Sequence, residues 1–138
     1  MRAIVVLGLA MTLSACAGGG LGGGDGLDLM SGGVFKGKKL EARLKTAAGA
    51  PLGSRENPVR ADRPEGQRAY LSRLRCGDGA APTFERIGNF GPGPFGAIID
   101  GYRVTCVIGE LKERQVFMDM YHPGHVEPAP VPGYAIVP

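Results

Sequence analysis

Ile98-Ile99-Asp100-Gly101-Tyr102-Arg103-Val104-Thr105-Cys106-Val107-Ile108 decides the fold class. Tyr102, Val104, Cys106 and Ile108 recur at every second position, which puts one apolar face on an extended chain. Residues 115–121 repeat the pattern, with Val116, Met118 and Met120 opposite Phe117, Asp119 and Tyr121. Residues 83–90 form another candidate strand. Upstream, Arg63-Pro64-Glu65-Gly66 fits a β-turn, with Pro second and Gly fourth. After it, residues 67–76 read as a strand with Tyr70, Ser72, Leu74 and Cys76 on one face and Leu71, Arg73 and Arg75 on the other. Residues 89–96 are a Gly/Pro-rich loop holding Phe90 and Phe95, either a contact surface or a hairpin connection whose phenylalanines fold back. Beyond a proline-rich stretch at 126–133, residues 134–137 close on a sheet edge, where proline is tolerated. The fold class is mostly β (β-rich α+β): a small, mostly antiparallel sheet or sandwich of about four to five strands.

One helix precedes it. Leu40, Leu44 and Ala47 or Ala48 recur at helical spacing within 38–48, Glu41 and Lys45 form a favourable pair, and Gly49 and Pro51 supply the stop. No good N-cap residue precedes the helix, and at three turns it is marginal alone. Lys36, Lys38, Lys39, Arg43 and Lys45 outweigh Glu41, so the segment either rests on anionic head groups or is a solvated spacer. From residue 51 onward, nine Arg and one Lys face ten acidic residues. That near-neutral balance argues against a nucleic-acid partner. Gly32 to Lys38 imitates a phosphate-binding loop, but Lys39 stands where Ser or Thr would be needed and no apolar strand leads in.

The chain begins with Met1-Arg2 and an apolar run over 3–11, too short for the about 20 residues that span a bilayer. A charged start, a short apolar core and small residues describe a secretory signal. Leu13-Ser14-Ala15-Cys16 resembles the lipobox of bacterial lipoproteins. That resemblance implies a signal peptide over 1–15 and a Cys16 carrying covalent diacylglycerol and an N-acyl chain, a combination that anchors stably. It further implies, through Ala17, the outer membrane facing the periplasm, with the inner membrane as the alternative. Ala17 to Gly33 holds nine glycines in seventeen residues and reads as a flexible tether; its span is about 20–25 Å. The expected organisation is therefore signal (1–15), lipidated Cys and tether (16–33), basic and helical spacer (34–50) and β-rich domain with its Pro-rich tail (51–138). Residues 57–75 and 119–127 are also similar to stretches of uncharacterised bacterial envelope proteins, a similarity that implies no activity.

With Cys16 lipidated, Cys76 and Cys106 remain in an oxidising compartment, where a structural disulfide is the simplest reading. A redox-active pair and a metal site are the alternatives, although neither cysteine belongs to a C-x-x-C.

The most suggestive chemistry lies in Asp119-Met120-Tyr121-His122-Pro123-Gly124-His125-Val126-Glu127. His122-Pro123-Gly124-His125 reads as a type II turn, which brings its ends within about 7 Å. His122, His125, Asp119 and Glu127 would then make a zinc or copper set; the other reading is a surface turn with incidental histidines. No cofactor motif, G-x-S-x-G or H-E-x-x-H is present, and Asp100 and Glu110 take no assignable role. Arg73, Arg75, Arg86 and Arg103 would line the outer face of the sheet, either as an ordinary charged surface or as a site for an anionic partner. Such a partner would be an envelope protein, peptidoglycan or lipopolysaccharide. The functional expectation is a lipid-anchored binding or structural module, with a periplasmic metal-binding protein or metalloenzyme as the alternative.

Overall fold

The alternation around Tyr102 produces β4 (Ile98–Thr105), which pairs on one side with β3 (Thr83–Pro92) and on the other with β5 (Glu113–Asp119), both antiparallel. The computed structural model describes residues 33–108 and 112–138. The signal, Cys16 and almost all of the tether lie outside the described residues, as does Glu110. The described residues are mostly β, as expected, with seven strands and two helices among them. Five strands form a mixed sheet in the order β3-β4-β5-β1-β6, where β1 is Val59–Asp62 and β6 is Tyr121–Val126. The pairing of β1 with β5 is parallel, and the other ladders are antiparallel. The 38–48 helix is α1 (Gly37–Ala47), and Lys36 at its N-cap makes no side-chain cap.

One expected strand is a helix instead. Residues 63–73 form α2 (Arg63–Arg73), so Arg63-Pro64-Glu65-Gly66 is its first turn rather than a β-turn. Tyr70 and Leu74 fit a period of two and a period of 3.6 equally well. The helical set, Gln67, Tyr70, Leu71 and Leu74 at i, i+3, i+4 and i+7, is the one that is buried. Local signals agree: Pro64 stands at the helix start, Glu65 in the first turn and Arg73 in the last. No β-branched residue occurs between Arg63 and Arg73 to favour a strand. Only Leu74–Arg75 are extended, as β2, and they pair with β7 (Ala135–Ile136). The tail therefore closes on β2 and not on the five-stranded sheet.

Side-chain alternation gives the sheet two faces. On one, Val59, Tyr102, Val104, Val116 and Met118 pack against Tyr70, Leu71 and Leu74 of α2 and against Val131 and Tyr134 of the tail. The Cys76–Cys106 disulfide closes this core, with the two Cα atoms 5.9 Å apart, and each cysteine sits one residue beyond a strand. On the other face, Phe90 lies over Gly101, where a Cβ would come within 2.3 Å of the ring, and meets Phe117 edge-on at 5.1 Å. Phe95 and Ile99 are fully buried on that side. Phe35 joins them, donating its N–H to the Phe95 carbonyl at 2.9 Å. Within 34–50, Phe35 and Ala47 are buried, while most of the basic residues stay exposed.

Replacing Cys76 and Cys106 by Ser should lower the unfolding free energy by about 3–4 kcal/mol, the loop-closure entropy of a separation of 30 residues. Urea denaturation reads this directly, and an unchanged midpoint would contradict it. A second expectation concerns alkali. Burial pushes the Tyr70, Tyr102 and Tyr134 hydroxyls above their ordinary value of 10.0. A phenol that resists ionisation only when folded stabilises the fold below its unfolded value, and that stability is lost as pH rises from there towards the folded value. The urea midpoint should therefore fall between pH of about 9 and about 11, and a flat profile would overturn the assignment.

Candidate functional site

β6 is an edge strand with an interruption. Ala61 of β1 is registered with Val126, and the next residue, Asp62, is registered with Tyr121. Two adjacent residues of β1 thus face the two ends of a six-residue stretch, and His122-Pro123-Gly124-His125 forms the excursion between them. Gly124 has φ +73°, matching the third position of the expected type II turn.

The excursion turns His122 inward. Its imidazole is 6% exposed and meets Phe95 edge-on, with ring centroids 5.5 Å apart. Its Nε2 lies 3.4 Å from Oδ2 of Asp119, the fully buried last residue of β5. Asp119 Oδ1 accepts the Tyr121 N–H at 3.0 Å, but Oδ2 and His122 Nε2 have no hydrogen-bond partner. Unpaired buried polar atoms are costly. His125 is half-buried and places Nε2 3.2 Å from Glu127 Oε2, while Glu127 Oε1 accepts the Ala129 N–H at 3.3 Å. The imidazole centroids are 6.4 Å apart. The four residues expected as one zinc or copper set thus divide into two pairs, Asp119 with His122 and Glu127 with His125. Among the described residues no group of three or more His, Cys, Asp or Glu side chains is arranged to hold a metal ion.

The four arginines do not share a face. Arg86 is registered with Tyr102 and reaches buried Asp100, its Nη2 donating at 2.6 Å. Arg103 is registered with Glu85, and so projects from the opposite face, where it pairs with Glu85 and, at 3.5 Å, Glu113. Arg73, at the end of α2, donates to the Glu127 carbonyl at 2.7 Å. Arg75 donates to the Ser72 and Leu74 carbonyls. All four are engaged within the chain, and the expected outer arginine face does not form.

Two residues that sequence reasoning passed over stand out. Gln67 is fully buried; its Nε2 donates to Asp100 Oδ2 at 3.3 Å and its Oε1 accepts the Tyr102 hydroxyl at 2.9 Å. Helical spacing would have found it. Arg60 is half-buried on β1, registered with Asp119, and its guanidinium makes no ion pair or hydrogen bond among the described residues. No local signal marks it, because Val59-Arg60-Ala61-Asp62 is ordinary strand alternation. Arg60 lines a groove of about 250 Å³ together with Phe35, Lys36, Leu40, His122 and His125.

No protein-family model matches the chain, and neither a curated protein nor a solved structure matches it.

The Asp119–His122 pair makes a graded prediction. Asp119→Asn keeps the acceptor for Tyr121 N–H and offers an amide donor to His122 Nε2, so it should leave stability unchanged or raise it. Asp119→Ala removes the acceptor and should cost about 1–3 kcal/mol. Urea unfolding of both variants checks the order; an Asn variant as unstable as the Ala variant would contradict it.

Proposed function

We propose that this chain is a lipid-anchored protein of the bacterial cell envelope, carrying a small disulfide-stapled binding domain on the periplasmic side of the outer membrane. The inner membrane, on the same side, is the alternative. The observation that carries the reading is the cysteine pairing. Cys76 and Cys106 take each other, so the third cysteine of the sequence, Cys16 at the end of Leu13-Ser14-Ala15, is not needed for that pair. Disulfides persist in oxidising compartments, and a thiol placed there behind a short secretory signal is suited to acylation. Two or more acyl chains hold a protein on a bilayer without a spanning segment. Among the described residues no helix is long and apolar enough to cross a membrane.

The domain's use as a binding module draws support from Arg60. A half-buried guanidinium without an ion pair or hydrogen bond among the described residues stands ready for an anion. The four arginines first expected to meet a partner are already occupied, so the groove at Arg60 is the better contact. A near-neutral domain favours a local, defined contact over a broad electrostatic one.

Replacing Cys16 by Ser tests the anchor. The wild-type chain should incorporate labelled fatty acid and sediment with membranes, whereas the Ser variant should lose the label and appear in the soluble periplasmic fraction. A Ser variant that stays with the membrane would overturn the reading.

A further inference from the structure

We infer that the groove between Phe35 and the β6 excursion is a phosphate-binding site. Its lining carries two full positive charges, Lys36 and Arg60, and both of the chain's imidazoles, but no carboxylate. Asp119 is fully buried and does not line it, and Glu127 is turned towards His125 and the Ala129 N–H. Neither cation has an ion-pair or hydrogen-bond partner among the described residues. Arg60 in particular is half-buried on an interior strand, where an unpaired charge is expensive unless a ligand completes it.

Two further observations point the same way. The groove adjoins the start of α1, since Lys36 and Leu40 both line it. Among the described residues that helix end has no side-chain cap and no acidic residue in its first turn, so its positive dipole end favours an anion. Independently, His122 lines the groove while its buried Nε2, 3.4 Å from Asp119 Oδ2, makes no hydrogen bond among the described residues. A carboxylate would use one cation; a doubly charged phosphate uses Arg60, Lys36 and the helix end together. Phe35 and Leu40 add apolar wall beside these groups, suiting a phosphate carried on an organic body.

The same phosphate chemistry comes from two sources, a lipid head group or a free phosphate compound. Only the lipid source rests on the anchor reading, which the Cys16 experiment tests separately. Because the chain holds just two histidines and both line the groove, their imidazole C–H resonances report this site without ambiguity. The chain from residue 16 onward, carrying Cys16→Ser, is titrated with inorganic phosphate, with a soluble short-chain phosphatidylglycerol, and with sodium chloride as the ionic-strength control. Saturable shifts with phosphate or phosphatidylglycerol, absent with chloride, are expected, and whichever binds more tightly identifies the source. Arg60→Gln should weaken binding by about tenfold or more. Lys36→Gln, at an exposed position that cannot disturb the core, should weaken it as well. No saturable shift with either phosphate, or equal affinity in both variants and the parent, would overturn the proposal.

Discussion

The short parallel ladder between β1 and β5 is the constraint on which the rest of the molecule depends. Val59 is registered with Met118 and Arg60 with Asp119. Inserting β1 there separates β5 from β6, which follow each other in sequence but not in the sheet. It also sends α2 directly off the end of β1 and across one face, so Tyr70, Leu71 and Leu74 cover Val59 and Met118. The period of two then places Arg60 and Asp119 on the other face, beside the segment that holds Phe35. One two-residue pairing thus turns Val59 and Met118 towards α2 and Arg60 towards the groove.

The α2 interface has a polar lock. Asp100 is 3% exposed, which would be costly for a lone carboxylate; it accepts from Arg86 and from Gln67, and Gln67 accepts from Tyr102. Such a chain of donors and acceptors is satisfied in one helix position only. Leu71 and Leu74 supply the burial, and Gln67 supplies the register. The disulfide acts further along the same layer, joining the chain just after β2 to the chain just after β4.

How much of this was legible follows from the residues themselves. The alternation of β4 and β5 could be read because both strands bury one side more fully than the other and carry β-branched or aromatic residues there. α2 could not, because Tyr70 and Leu74 sit at positions shared by both periods and Arg63-Pro64-Glu65-Gly66 satisfies a turn and a helix start alike. Phe35 drew no reading, because it is one aromatic in a basic stretch and its contact is with the carbonyl of Phe95, sixty residues away. The close approach is permitted by Gly96, at φ +90°, where a Cβ would lie 2.8 Å from the Gly33 carbonyl. His122 and His125 were visible as the only histidines, and their turn was legible in Pro-Gly. Their division into two carboxylate pairs was not, because it depends on which way an edge-strand excursion points.

The backbone around the groove suggests why that excursion exists. Arg63 is the one described non-glycine residue with positive φ, at +61°, and it precedes Pro64. That conformation costs on the order of 1–3 kcal/mol and persists only where the surroundings over-determine it. Here the Arg63 N–H donates to the Met120 carbonyl at 2.8 Å, and its Nε lies 3.2 Å from Asp62. The strain therefore falls where β1, α2 and the β5–β6 connection meet, next to the register shift that frees His122 to His125 from the ladder. A regular edge strand would have alternated those side chains between core and solvent, leaving His122 and His125 on opposite faces. The kinked junction and the bulge together bring both imidazoles to the side where Arg60 already stands. Strained backbone, buried polar atoms without hydrogen bonds and, among the described residues, a guanidinium without an ion pair coincide at this corner, as the phosphate site proposed above requires.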